Sequence, residues 1–409
     1  MIGDYKRFNM TRKPFRQLAF LKLLTWLVSF PMALKHRSHI DRSALPKDLK
    51  APYLLLCNHN SFIDYFIMTK AVFPHRANYV VAIDGFIGIE WILRLVGGIC
   101  TRKFSRNLAV IKNMFLASAK GDIVVLFPEA RYSLCGTGAV LPDSLGKIIR
   151  KMNVPVVMLK MHGHHICSPF WSPGDRKVKP LKAEMKVLFT LEETKELTVA
   201  ELNKRLAQAF VYDDYTWQLE NNVKVKKKDR AEGLHKVLYQ CPACQAEFQM
   251  TSKGIQLRCG NCNKAWEMSE LGELKSLSGE TEFSHIPDWY EWERANVREQ
   301  IKAGTYAFES TVLIESLPNA KGFVKFTEPG HLTHNQEGFT LTGTNQGERF
   351  TQKWPVRSLY SCHIEYEYKG KGDCVDLNTS DDTLYLYPQR KDFSVTKISL
   401  ATEELYKLQ

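Results

Sequence analysis

The sequence lacks a dense framework of paired cysteines, a secretory signal, and any internal repeat or low-complexity tract. The first two absences argue against a disulfide-stapled secreted fold and favour a reducing cytoplasm. The third excludes a repeat array. A spanning helix is also missing from the most apolar segment near the N-terminus, Leu18 to Leu34, because a span needs ~20 consecutive apolar residues. Lys22 interrupts that run, Pro31 breaks its end, and His36 to His39 follow where a small-residue cleavage site would stand, so no cleavage is expected. With Lys6, Arg7, Arg12, Lys13 and Arg16 before it and Phe20, Trp26 and Phe30 within it, residues 1–45 read as a basic, apolar helix lying on a membrane surface. The bland alternative is a core helix of a soluble domain.

At 409 residues the chain predicts two to three domains, and 44% apolar with 24% charged residues fits folded, not disordered, protein. The formal charge of +12 favours anionic partners, and eleven Lys and Arg against three Asp fall in the first 50 residues. Six cysteines, Cys57, Cys100, Cys135, Cys167, Cys362 and Cys374, are scattered and read as buried thiols.

Over residues 46–230, runs such as Tyr53–Cys57, Tyr79–Ile83, Ile123–Phe127, Val154–Leu159 and Met185–Phe189 alternate with helical patterns. They predict an α/β domain, with a mixed or mostly parallel sheet covered by helices on both faces. A basic linker, Lys224–Arg230, is expected next. A helix from Asp288 to Ala303 opens the final region, residues 285–409, where alternating strands such as Ser361–Tyr368 and Thr383–Tyr387 and many glycines predict an antiparallel β domain.

Chemistry is concentrated after the first strand, in Asn58, His59, Asn60, Ser61, Phe62, Ile63, Asp64. Ser61 is a suitable cap for a helix starting at Phe62, which leaves His59 in the turn and lets Asp64 reach back to it. A carboxylate on one imidazole nitrogen fixes the tautomer and supports the cation formed when the other takes a proton, so His59 is the candidate base and Asp64 its orienting partner. A polar strand-to-helix turn without function is the competing reading. Gly97 to Lys103 combines glycines with Arg102 and Lys103, a candidate phosphate cradle or a plain turn. Glu129 and Arg131 follow a strand end, where ligands of open α/β sheets bind.

Four segments in order carry a resemblance. NHxxxxD is matched by Asn58, His59 and Asp64; a shortened GxxFIxR block by Gly97 to Arg102, with Cys100 in the aromatic's place; FPEGTRS by Phe127 to Ser133, with Ala130 for glycine and Tyr132 for arginine; and a VPVxPV block begins at Val154. Residues 50–195 thus resemble the glycerolipid acyltransferases, relatives of 1-acylglycerol-3-phosphate acyltransferase. The resemblance implies that family's helix-covered sheet, catalysis by His59 and Asp64, and acceptor binding by Asn58, Arg102, Glu129 and Arg131. It also implies an acyl-CoA or acyl carrier protein donor, a lysolipid acceptor, a place in phospholipid biosynthesis, and a peripheral or monotopic position on the cytoplasmic face of a membrane. The runner-up is a catalytically inactive lipid or protein adaptor on the same fold.

Downstream, Cys241, Cys244, Cys259 and Cys262 form two C-x2-C knuckles, the pattern of a zinc ribbon over residues 235–275. Four thiolates leave no open coordination position, so the Zn²⁺ is expected to be structural. Few cations surround the knuckles, so no nucleic-acid partner is expected. The three imidazoles of His162, His164 and His165 are expected on a polar loop at the pocket rim. The last region is similar to a pleckstrin-homology-like domain in strand count and final helix only.

Overall fold

The computed structural model describes residues 5–105 and 107–409. After helix α1 (Ala19–Lys35), the first unit is a seven-stranded sheet of β1 (His39–Asp41), β2 (Leu54–Cys57), β3 (Ala77–Ala82), β4 (Gly98–Thr101), β5 (Ile123–Leu126), β6 (Val156–His162) and β7 (Lys182–Phe189). Its order is β1-β7-β6-β2-β5-β3-β4, parallel except where β6 meets β7. Helices α2 (Ile63–Val72), α3 (Glu90–Leu95), α4 (Leu108–Ala119), α5 (Leu145–Met152), α6 (His164–Cys167), α7 (Leu191–Glu196), α8 (Val199–Ala209) and α9 (Asp214–Glu220) accompany it.

The continuous apolar runs follow from burial on both faces. In β2 the alternate residues Leu54 and Leu56 enter one apolar cluster with Val124, Val156 and Met158, while Leu55 and Cys57 enter another with Val125, Val157 and Leu159. β2 is therefore central, and the turn that follows it opens at the carboxyl edge of the sheet, where the residues for chemistry lie. The segment expected as a phosphate cradle is an edge strand, β4. Its preceding Gly97 has φ 97°, and a Cβ there would sit 2.5 Å from the Ala77 carbonyl oxygen, so glycine lets β4 close against β3.

The segment expected as a zinc ribbon, here called the ribbon, forms a four-stranded antiparallel sheet of β8 (Met250–Lys253), β9 (Gln256–Cys259), β10 (Ala265–Met268) and β11 (Leu274–Ser276). The expected basic linker before it is packed: Val225 and Arg230 are buried, and Arg230 Nε donates to the Met268 carbonyl. Helix α10 (Ile286–Lys302) then leads to β12 (Phe308–Ser316), β13 (Val324–Lys325), β14 (Gly330–Asn335), β15 (Gly338–Asn345), β16 (Glu348–Pro355), β17 (His363–Glu365), β18 (Cys374–Asn378), β19 (Thr383–Pro388) and α11 (Val395–Lys407). This antiparallel sheet runs β16-β15-β14-β12-β19-β18-β17, with β13 beside β12. One apolar cluster passes through all three units, from Leu55 through Trp171 and Trp266 to Leu386.

Helix α1 packs on α2. Trp26 and Phe30, expected at a lipid interface, lie against Phe73 instead, with ring centroids 6.1 and 6.3 Å away. Phe20, Leu23, Leu24, Leu27 and Val28 are exposed, at the spacings of a single helix face. Among the described residues no helix is long and apolar enough to cross a membrane.

Candidate active site

β2 ends at Cys57, and the chain turns through His59 into the first turn of α2. The carboxylate of Asp64 folds back over this turn. Its Oδ2 accepts from the backbone N–H groups of Asn60 and Ser61, the latter at 3.0 Å, and lies 3.0 Å from His59 Nδ1. Asp64 thus satisfies two N–H groups of the turn before the helix, while Ser61, the expected cap, makes no hydrogen bond through its buried hydroxyl. The other oxygen, Oδ1, lies 2.6 Å from Nδ1 of His164. Burial alone would raise the Asp64 carboxyl, but hydrogen bonds from His164 and His59 hold it down at about 2. With Asp64 ionised, His59 Nδ1 carries the proton and donates, and Nε2 is left as the basic atom. The ring stands 4.2 Å from Phe127 and 4.4 Å from Tyr132, centroid to centroid.

His164 was legible only as part of a histidine run. It is fully buried at the start of α6, after Gly163, whose φ is 78° and whose missing Cβ would fall 2.5 Å from the Trp217 ring. The signal that finds it is topological: β2 and β6 are parallel neighbours, so the turns after both converge. His165 is equally buried, and its backbone N–H donates to Asp214.

The other candidate residues brace the turn or face away from it. Asn58 spans β2 and β6 through two hydrogen bonds with the Met161 backbone, at 2.9 and 2.8 Å. Glu129 is buried: Oε2 accepts the His59 backbone N–H at 2.6 Å and Oε1 that of Ala139 at 2.7 Å. Burial pushes its carboxyl up to about 8, against the pull of those two N–H groups. Ala130, where the resembled block has glycine, adopts φ 55°, a left-handed conformation costing roughly 1 kcal/mol for a residue with a Cβ. Arg131 points into the C-terminal unit, donating to Ser399 Oγ and Glu403 Oε1, both at 2.7 Å. Arg102 does the same. Its Nη1 donates to the Leu317 carbonyl and Thr383 Oγ1, and its Nη2 to the Pro318 and Asp381 carbonyls.

His59 opens on a cavity of about 940 Å³ enclosed by α2, β3, α4, the turn after β5, α5 and residues of the C-terminal unit. Phe62, Val80, Ile111, Met114, Leu126 and Ile148 give it apolar walls of the kind an acyl chain would contact. The site therefore combines an oriented imidazole with a large greasy pocket. In the ribbon, Cys241 Sγ lies 3.8 Å from Cys262 Sγ and Cys244 Sγ 3.7 Å from Cys259 Sγ. Tetrahedral Zn–S bonds of about 2.3 Å give S···S edges of about 3.8 Å, so the four thiols fit a zinc ion.

Residues 34–161 match the acyltransferase family model, a stretch that contains His59, Asp64, Arg102, Glu129 and Arg131. This match supports an acyltransferase domain in the first unit and ends before the ribbon begins. Among solved structures, the chain is similar to the 1-acyl-sn-glycerophosphate (LPA) acyltransferase PlsC from Thermotoga maritima, at 16% identity and a TM-score of 0.38, over 47% of this chain and 77% of that one. No curated protein matches the sequence.

Proposed function

We propose that the protein is an O-acyltransferase that moves a fatty acyl group from a thioester donor, acyl-CoA or acyl carrier protein, to a hydroxyl of a glycerolipid-type acceptor. The observation that carries this reading is the His59–Asp64 pair at the mouth of the apolar cavity. His59 Nε2 takes the proton of the acceptor hydroxyl as its oxygen attacks the thioester carbonyl. A C–O bond forms, the C–S bond breaks, and the proton passes to the departing thiolate. Asp64 favours the intermediate imidazolium without moving a proton itself. His164 holds the second oxygen of Asp64 and so fixes the carboxylate's orientation.

The choice of 1-acylglycerol-3-phosphate as acceptor, implied by the resemblance, asks Arg102 and Arg131 to hold a phosphate; both line the cavity, with guanidinium hydrogens given to the C-terminal unit. The exposed face of α1 supports peripheral attachment to a membrane, where such acceptors reside. The four ribbon cysteines support one structural Zn²⁺ per chain, which would tie residues 241–262 together and take no part in transfer.

The test is incubation of purified protein with labelled acyl donors and a panel of lysolipids and other alcohols, followed by lipid extraction. A labelled ester is expected. Absence of ester with every pairing would leave the adaptor reading in its place.

A further inference from the structure

Resting on the acyl-transfer reading, we propose that the C-terminal β domain forms the far wall of the acceptor pocket, and that Lys103, Asp84, His363 and Glu365 there select a head group of hydroxyl or amine character without a phosphate monoester.

The cavity that contains His59 is bounded on its far side by Tyr360, His363, Glu365, Tyr368 and Tyr406, all from the β domain. This wall is fixed in place. Arg102 is buried and gives its four Nη hydrogens to acceptors on β-domain residues, and Asn378 Nδ2 donates to the Lys103 carbonyl at 2.6 Å. A path of rings links the wall to the reacting centre: Tyr132 lies 4.4 Å from His59, Phe170 5.7 Å from Tyr132, and His363 6.5 Å from Phe170.

The charges where this wall meets Asp84 and Lys103 of the first unit are unsuited to a dianion. Successive residues of the turn after β5 divide the labour: Arg131 pairs with Glu403 inside the β domain, and the uncharged Tyr132 stands beside His59. Lys103 Nζ is held 3.2 Å from Asp84 Oδ2 and 3.0 Å from His363 Nε2. On the other edge of that imidazole, Nδ1 is 2.8 Å from Asp376 Oδ2 and 3.7 Å from Glu365 Oε1. The one ammonium is therefore already paired with Asp84, and burial, by pushing Glu365 up to about 7 and Asp376 well above its ordinary range, favours the protonated form of the two carboxyls behind His363. A phosphate monoester placed here would lose its water shell and would have to take Lys103 from Asp84, whereas a hydroxyl or ammonium would donate to Asp84 with Glu365 beside it. His363, Glu365 and Asp376 have the composition of a metal site, but Lys103 already supplies the positive charge. Two further cations that line the cavity, Lys147 and Arg357, are exposed.

The experiment compares kcat/KM of the full-length protein, with one acyl-CoA donor, for a monoacylglycerol, a long-chain amino alcohol and 1-acylglycerol-3-phosphate presented in the same mixed micelles. One of the first two should exceed the phosphate by at least about tenfold, the scale of discrimination that one charged contact provides. Glu365→Gln should raise the KM for that acceptor severalfold and leave the KM for acyl-CoA unchanged. Preference for the phosphate in an active wild-type enzyme overturns the inference and leaves acyl transfer standing. So does a Glu365→Gln effect that falls equally on donor and acceptor. No transfer to any acceptor removes both. The wild-type acceptor ratio decides the matter even where the variant fails to fold.

Discussion

Asp64 joins two imidazoles through one carboxylate, with His59 toward the cavity and His164 toward the interior. An amide at this position cannot accept on both sides, because one edge presents hydrogens. Asp64→Asn is therefore expected to lower acyl transfer by ~100-fold, as for a base held in the wrong tautomer or orientation. His164→Asn, which spares the His59 contact, should cost less activity than Asp64→Asn in the same assay. Equal rates for Asp64→Asn and wild type would show that the pair does not act as a unit. His59 and Asp64 were legible because their spacing of five positions is local, the turn plus the first helical turn. His164 was not, since it lies 100 positions from Asp64 and meets it only through the pairing of β2 with β6. The orientations of Arg102 and Arg131 were hidden for a related reason: motif spacing shows that a cation is present, not which packed unit lies opposite.

Among the elements, α11 does the most to join the units. Its Glu403 accepts from Arg131 and Arg294, and burial, which would raise the carboxyl, is overcome by these two guanidinium groups so that it is held at about 2. Removing one partner of a buried pair costs about 3–5 kcal/mol, so Glu403→Gln should lower unfolding free energy by that order at neutral pH. The sign with pH follows from the depressed carboxyl. Its stabilisation is complete above the unfolded value near 4.5 and is lost as pH falls toward about 2, so the gap between wild type and variant in denaturant melts should close over that window. A gap unchanged at pH 3 would contradict the pairing. In the ribbon, metal analysis should find one zinc per chain, and Cys259→Ser should abolish it and loosen residues 235–275 in hydrogen exchange. Metal-free protein with the ribbon still protected would reject this. Strand positions were read well where both faces are buried, as for β2 and β5. β4 was missed because Gly98–Thr101 is short and carries no apolar run, and the start of the final helix, α11 at Val395, has no mark in the sequence because its first turns are buried and show no amphipathic edge.

At the scale of the whole molecule, the change from a mostly parallel sheet to an antiparallel one was visible in composition, but the apolar cluster that joins the sheets was not. No local pattern marks Trp171 or Trp266 as contacts of a shared interior. The exposed face of α1 predicts attachment of the whole protein to lipid. Each leucine that enters the bilayer is worth about 1.5–3 kcal/mol, so Leu24→Ser with Leu27→Ser should cut binding to anionic vesicles at least ~10-fold in a flotation assay. Undiminished binding would point to another surface. The N-terminal cations should add a smaller, salt-sensitive share, because Arg7 pairs with Asp382 and Arg16 with Asp122. In the proposed function, attachment, the cavity and the β-domain wall would all serve one reaction at His59. The most direct measurement is therefore thiol release and ester formation followed together in one sample of full-length protein, wild type against His59→Ala, with the fold of each checked by melting. Wild type should release one thiol per ester formed, and His59→Ala should lose both signals by at least ~100-fold. A folded His59→Ala protein that forms ester at close to the wild-type rate would contradict catalysis by this histidine.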